Sequence, residues 1–121
     1  MTNKSFLAND DLKNLSDSEL IIVVHNGFLL NQAKALFFLG KRCAINPKLI
    51  SLVQNEILDQ KNINRKVIGT ISVSFFGIAG LIESNHPQTR NIVNIFLEKT
   101  KEYPYIKDDL GCFLEGFDYK I

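Results

Sequence analysis

Between Arg65-Lys66 and Glu83 the chain runs through sixteen residues without a charge, Val67 to Ile82 (VIGTISVSFFGIAGLI). A segment this apolar must leave water, either in a bilayer or inside a protein core. Sixteen residues fall short of the roughly 20 that a spanning helix needs, and Thr70, Ser72 and Ser74 add polar groups. A central helix enclosed by others is the better solution. Val67, Ile68, Ile71, Phe75, Ile78, Ala79 and Ile82 recur at helical steps and predict one helix near residues 64–84. Ile71-Ser72-Val73-Ser74-Phe75 alternates as a strand would, but the apolar residues on both sides favour helix. Gly69, Gly77 and Gly80 would let neighbouring helices approach closely, at about 1 kcal/mol each relative to alanine.

An enclosed helix needs partners, and the flanking sequence supplies them. Ser16 and Glu19 form a capping box that opens a helix of about 17–26, closed at Asn26-Gly27 by a glycine able to turn left-handed. The segment Asn9–Leu15 has room for one short turn before it. Asn31 caps a helix of about 31–44 with Ala33, Leu36, Phe37, Gly40 and Cys43 on its inner stripe. Asn46-Pro47 opens another over 47–60, because asparagine suits the cap and proline the first helical position. Asn85-His86-Pro87 repeats that device before a helix of 87–101. Tyr103-Pro104-Tyr105 breaks the chain, and Asp108 or Asp109 caps a last helix carrying Leu110, Phe113, Leu114 and Phe117. The expectation is one all-α domain over residues 1–121, a length that holds a single core.

Pro47 and Pro87 lie 40 residues apart, and at the same offset Gly40 matches Gly80 and Val53 matches Val93. Forty residues is the length of a two-helix solenoid repeat. The segment Ala33-Lys34-Ala35-Leu36-Phe37-Phe38-Leu39-Gly40, followed by Pro47–Leu58 and then by Asp59 and Arg65, resembles a HEAT repeat. That resemblance covers about residues 30–101. It implies a short HEAT-like stack of hairpins at about 30–60 and 64–101, with Asp59 and Arg65 as structural residues tying hairpin to hairpin. The second copy departs from the pattern, having Lys99 where the first has Asp59. An irregular five- or six-helix bundle is the alternative architecture.

Lys and Arg number 14 against 13 Asp and Glu, a formal charge of +1, which gives no general attraction to nucleic acid or anionic membrane. The three arginines, Arg42, Arg65 and Arg90, stand far apart and form no basic stripe in the sequence. Cys43 and Cys112 sit among apolar neighbours and read as two buried thiols. His25 and His86 lie in no catalytic or ligand motif, and no His, Cys or carboxylate spacing suits a metal. Gly77-Ile78-Ala79-Gly80 falls within a helical pattern, so it reads as packing rather than a phosphate loop. No catalytic, metal or cofactor residue is assigned, and no enzyme is expected. Met1–Asp11 has no sustained apolar stretch of the kind a signal peptide carries, which points to the cytoplasm.

Two acidic clusters remain, Asp10-Asp11 with Asp17 and Glu19, and Asp108-Asp109 with Glu115 and Asp118. Carboxylates favour helix starts for dipole reasons alone, which is the competing account of both. Tyr103, Tyr105 and Tyr119 lie beside the second cluster, and tyrosine is a common interface anchor. Tyr103, Tyr105, Asp108, Asp109, Glu115, Asp118 and Tyr119 are therefore the candidate partner-binding residues. By its size and its lack of catalytic groups the chain resembles the small helical immunity proteins of contact-dependent bacterial toxin systems. Ile, Asn and Lys make up 37 of the 121 residues, as in AT-rich accessory DNA. The resemblance implies a cognate toxin domain, such as a nuclease, as the protein partner, occluded without chemistry. A HEAT-like adaptor, or a homodimer through the apolar face from Phe28 to Phe38, is the alternative.

Overall fold

The structure is a computed structural model that describes residue 7 and residues 10–120, so most of Met1–Asp11, where no signal peptide is expected, lies outside the described residues. Helix α1 spans Asp17–Asn26 and opens with the expected capping box. The Glu19 amide donates to Ser16 Oγ at 3.1 Å, and the Ser16 amide donates to Glu19 Oε1 at 2.9 Å. A single 3₁₀ turn, Asp11–Asn14, precedes it. Gly27 closes α1, but at φ −75°, not left-handed. Space, not dihedral freedom, selects glycine there, since a Cβ would lie 2.7 Å from the Val23 carbonyl oxygen. Helix α2, Leu29–Arg42, starts at Phe28 rather than at Asn31 and has no side-chain cap. Asn46 caps a 3₁₀ turn, Pro47–Leu49, that runs into α3, Ile50–Leu58. Asp59 caps the short α4, Gln60–Asn64, accepting from the Lys61 amide at 2.8 Å.

The expected continuous helix over 64–84 is corrected by the structure. Lys66–Ile68 and Ile71–Ser72 form an antiparallel hairpin, β1 and β2, with Lys66 opposite Ser72 and Ile68 opposite Ile71. Gly69 takes φ +55° in its turn, a conformation that cannot continue a right-handed helix and that suits a hairpin corner. The strand-like alternation at Ile71-Ser72 was the signal, masked by the apolar residues around it. Helix α5 therefore begins at Val73 and ends at Ser84. Residues 73–81 are buried without exception, whereas Ile68 is 62% exposed. Only the second half of the uncharged segment is core.

Two further starts shift. Asn85 does not cap the following helix; at φ 54° it closes α5, its amide donating to Ile82 O at 3.0 Å. His86 Nδ1 then accepts from the Gln88 amide at 3.0 Å, and α6 spans Thr89–Lys99. Helix α7, Pro104–Gly116, opens at Pro104, so Tyr103-Pro104-Tyr105 starts a helix and Asp108 and Asp109 fall inside it rather than at its cap. Proline needs no N–H partner in a first turn, which is why the earlier start prevails.

The core is built on α2 against α5, the most extensive contact in the molecule. The two run in the same direction: Leu36 meets Gly77, and Gly40 meets Gly77, Gly80 and Leu81. A Cβ on Gly40 would stand 3.0 Å from the Gly77 carbonyl oxygen, and one on Gly80 would overlap the Phe37 carbonyl oxygen. Backbone therefore lies on backbone, and glycine is required on both sides. Gly77 and Gly80 act as expected; Gly69 does not. Helix α3 lies beside α5 and α6: Ser74 Oγ donates to Ile57 O at 2.7 Å, and Lys99 Nζ donates to Leu58 O. Helix α7 adds Phe113, whose ring lies 5.9 Å from Phe75 and 6.2 Å from Phe76. Helix α1 covers α2. The described residues form seven α-helices and one two-stranded hairpin, an all-α bundle with a single apolar core. No helix among them is long and apolar enough to cross a membrane.

Candidate functional site

The outer face of α7 follows from helical period. Ile106, Leu110, Phe113 and Leu114 turn inward, which leaves Tyr105, Asp108, Cys112 and Glu115 outward at three- and four-residue steps. Tyr103 and Tyr105 are 52% and 55% exposed, and their rings meet edge to face at 6.0 Å. Tyr103 to Glu115 is 12 residues, about 18 Å at helical rise. Asp109 is half-buried, so it contributes less than its neighbours. Asp118 lies past the helix end at φ 59°. Tyr119 is half-buried and donates its hydroxyl to Glu83 Oε2 at the end of α5, so it serves as a tether rather than an exposed anchor. The structure thus brings Tyr103, Tyr105, Asp108 and Glu115 onto one surface, leaves Asp118 exposed past the helix end and turns Tyr119 toward α5.

Cys112 stands exposed on that same surface, contrary to the expectation of two buried thiols. Its apolar neighbours Phe113 and Leu114 point the other way on the helix, so local composition misled. Cys43 is buried, its thiol donating to Leu39 O at 3.5 Å. Burial, with a smaller effect from Asp17, pushes that thiol up to about 11.

Asp10, Asp17 and Glu19 of the first acidic cluster are engaged internally, while Asp11 is exposed. Asp10 accepts from the Leu12 amide at 3.0 Å and pairs with Lys34 at 2.8 Å. Asp17 accepts from Asn46 at 3.1 Å and from Arg42 at 3.0 Å, and these two bonds hold its carboxyl below the ordinary range. Glu19 completes the capping box. Asp59 caps α4, and Arg65 ends that helix, its amide donating to Lys61 O at 3.1 Å. His25 Nε2 lies 3.6 Å from Glu56 Oε2 on α3. Of the face from Phe28 to Phe38, Phe37 and Phe38 are buried and Phe28 and Leu30 remain exposed. Among the described residues no three His, Cys, Asp or Glu side chains converge as a metal site.

A surface that the sequence did not disclose lies at the C-terminal ends of α2 and α5. Phe38, Ala44 and Ile45 line a cleft of about 370 Å³ edged by Lys13, Lys41, Arg42 and Glu83. A second cleft, about 340 Å³, shares Ala44 and Ser84 with it and continues along Pro47 and Pro87. A third, about 160 Å³, shares Asn85, His86 and Pro87 and reaches Ile82, Arg90 and Lys120. All three lie around the turns at 43–47 and 84–87. Lys13, Lys41 and Arg42 line the first and Arg90 and Lys120 the third; Lys41 pairs with Glu83 at 3.6 Å and Arg42 with Asp17 at 3.0 Å. Arg42, at the end of α2, and Arg90, in the first turn of α6, line different clefts at this end. The 40-residue spacing of Pro47 and Pro87 was the available signal, since it sets the two turns side by side.

No protein-family model, curated protein or solved structure matches the chain.

Proposed function

We propose that this chain is a non-catalytic protein-binding module that engages its partner through the outer face of α7. The observation that carries this reading is the exposed Tyr103–Tyr105 pair, continued by Asp108 and Glu115 along a single helix face. Tyrosines held in mutual contact lose little entropy on binding, and carboxylates beside them select a basic partner surface. In its specific form the module is an immunity protein that occludes a basic toxin cleft, such as a nuclease site. A two-hairpin HEAT-like stack is the matching architectural proposal. It rests on the 40-residue spacing of Pro47 and Pro87 and on the HEAT-like pattern of residues 33–40.

Calorimetry with the C-terminal domain of the product of the adjacent upstream gene tests both levels. Wild-type protein is expected to bind it and to rescue cells expressing it. The combined variant Tyr105→Ala, Asp108→Lys, Glu115→Lys is expected to lose at least about 2 kcal/mol of binding, with unchanged circular dichroism. Equal affinity for the variant moves the interface off α7. Binding without rescue removes the toxin reading and leaves the module.

A further inference from the structure

We propose that one end of the molecule docks on an anionic lipid bilayer as a peripheral contact. That end is formed by the N-terminal ends of α2 and α5 and by the β1–β2 hairpin. Phe28, Leu30 and Ile68 enter the headgroup boundary, and Lys61, Arg65 and Lys66 meet the anionic headgroups. The surface is separate from the outer face of α7 and does not depend on the reading of that face.

Its position follows from the fold. Helices α2 and α5 run parallel, with Leu36 against Gly77, so their N-terminal ends lie together. The hairpin leads directly into α5 and packs against α2. The Val73 amide donates to Arg65 O at 3.1 Å, which fixes Arg65 beside the first residue of α5. At this end Phe28 is 86% exposed, Ile68 62% and Leu30 41%. Ile68 adjoins the hairpin corner, where Gly69 and Thr70 are exposed as well. Strand alternation sets it on the same side as the exposed Lys66. Lys61 and Arg65 stand one helical turn apart at the end of α4, the first exposed and the second half-buried.

Charge selects the occupant. From Gln60 to Ile82 the chain carries Lys61, Arg65 and Lys66 and no carboxylate. From Leu20 to Gly40 it again has no carboxylate, and Lys34, its one lysine, is paired with Asp10 and adds nothing to the count. Among the described residues the side chains of Lys61, Arg65 and Lys66 form no hydrogen bond or ion pair. Of the carboxylates in neighbouring elements, Glu56 is engaged by Asn62 and His25, and Asp59 caps α4. Helix α7 also packs on β2, but neither Asp108 nor Asp109 forms an ion pair with the three cations. The chain as a whole, at +1, has no general attraction to a membrane, so the attraction is local to this end. Each cation held near an anionic bilayer adds to it, and two helix N-termini contribute partial positive charge.

Shape favours lipid over other polyanions. Three apolar side chains stand clear of the body beside the cations, and a nucleic-acid backbone has no use for them. A protein partner would have to bring pockets matched to each. The headgroup boundary takes up apolar side chains next to cations without matched pockets. No helix among the described residues is long and apolar enough to span, so the contact is peripheral.

Flotation of the full-length chain with vesicles tests the assignment. The vesicles are phosphatidylcholine alone and phosphatidylcholine with about one-third phosphatidylserine, with double-stranded DNA as competitor. Binding to the anionic vesicles is expected to exceed binding to the neutral ones by at least about tenfold and to fall as salt rises. Lys61→Glu with Lys66→Glu is expected to weaken it about tenfold or more and to flatten the salt dependence. Phe28→Ser is expected to weaken it severalfold at an unchanged salt dependence. Serine caps a helix better than phenylalanine, so that loss is not one of folding. Ile45→Ser removes a side chain as exposed as Phe28, at 86%, past the other end of α2, and should leave binding unchanged. None of these substitutions lies on α7, so binding of the toxin domain is expected to persist in each and the two surfaces fail separately. Circular dichroism confirms the fold of every variant. Absence of vesicle binding, equal binding to neutral vesicles, indifference to the lysine reversals, equal losses from Phe28→Ser and Ile45→Ser, or displacement by DNA overturns the proposal.

Discussion

At the scale of single residues, glycine does opposite things in the two halves of the molecule. Gly80 lies where a Cβ would overlap the Phe37 backbone, and neither helix can retreat without opening the core. Gly111 is in the interior of α7 with no atom within 4 Å of the Cβ it lacks. Gly80→Ala is expected to destabilise by at least about 2 kcal/mol through overpacking. Gly111→Ala should stabilise by about 0.5–1 kcal/mol by removing backbone entropy from the unfolded chain. Urea denaturation midpoints compare the two, and similar shifts in one direction would refute this account. Both glycines were visible in the sequence, but nothing local distinguished them. The difference is made by what the opposite helix places there.

At the scale of elements, the hairpin β1–β2 shows why an apolar run cannot be divided by hydropathy alone. Val67–Ile82 reads as one helix because its residues satisfy the helical period throughout. The division comes from Gly69 at φ +55°, a dihedral that leaves no trace in hydrophobicity. Gly69 faces open space, so substitution there is limited by conformation and not by volume. Gly69→Ala is expected to cost about 1 kcal/mol, and Gly69→Asn less, because asparagine tolerates the left-handed region. Thermal unfolding of the two variants measures the difference, and equal losses would place the cost elsewhere. The same limit applies at the helix starts. The capping box at Ser16–Glu19 was legible because its chemistry is contained in four residues. Asn85 reads as the cap of the next helix because an asparagine two residues before a proline fits a helix start or a helix end equally well, and only its φ of 54° decides.

At the scale of the whole molecule, the N-terminal segment is fastened to the core through charge. Asp17 accepts from Asn46 and Arg42, and Arg42 also donates to the Lys13 carbonyl at 2.7 Å. The folded state therefore holds the Asp17 carboxyl below its ordinary value of 3.8, first through the Asn46 amide and then through Arg42. A depressed carboxylate contributes stability above the unfolded pKa and loses it as pH falls through the folded one. Stability is accordingly expected to hold from neutral pH down toward pH 5, at about one unit above the ordinary value, and to decline below it. Asp17→Asn should be less stable at neutral pH and show a shallower acid decline. Denaturation curves across that range test the sign, and a parallel decline in the variant would exclude Asp17 as the source.

By itself the sequence determined that this chain is all-α with one core, because burial periodicity, capping boxes and helix-starting prolines act over a few residues and carry their own physics. It also marked the tyrosines and carboxylates of the last helix as a set, although it put Asp108 at a cap and Tyr119 among the exposed anchors. Tertiary structure alone decided which members of that set share a face, and that Tyr119 is spent on Glu83. It alone set the turns at 43–47 and 84–87 side by side. The ends of α2 and α5 come together only because the two helices lie parallel, and that arrangement depends on glycines meeting across a helix crossing, an interaction between residues about forty positions apart.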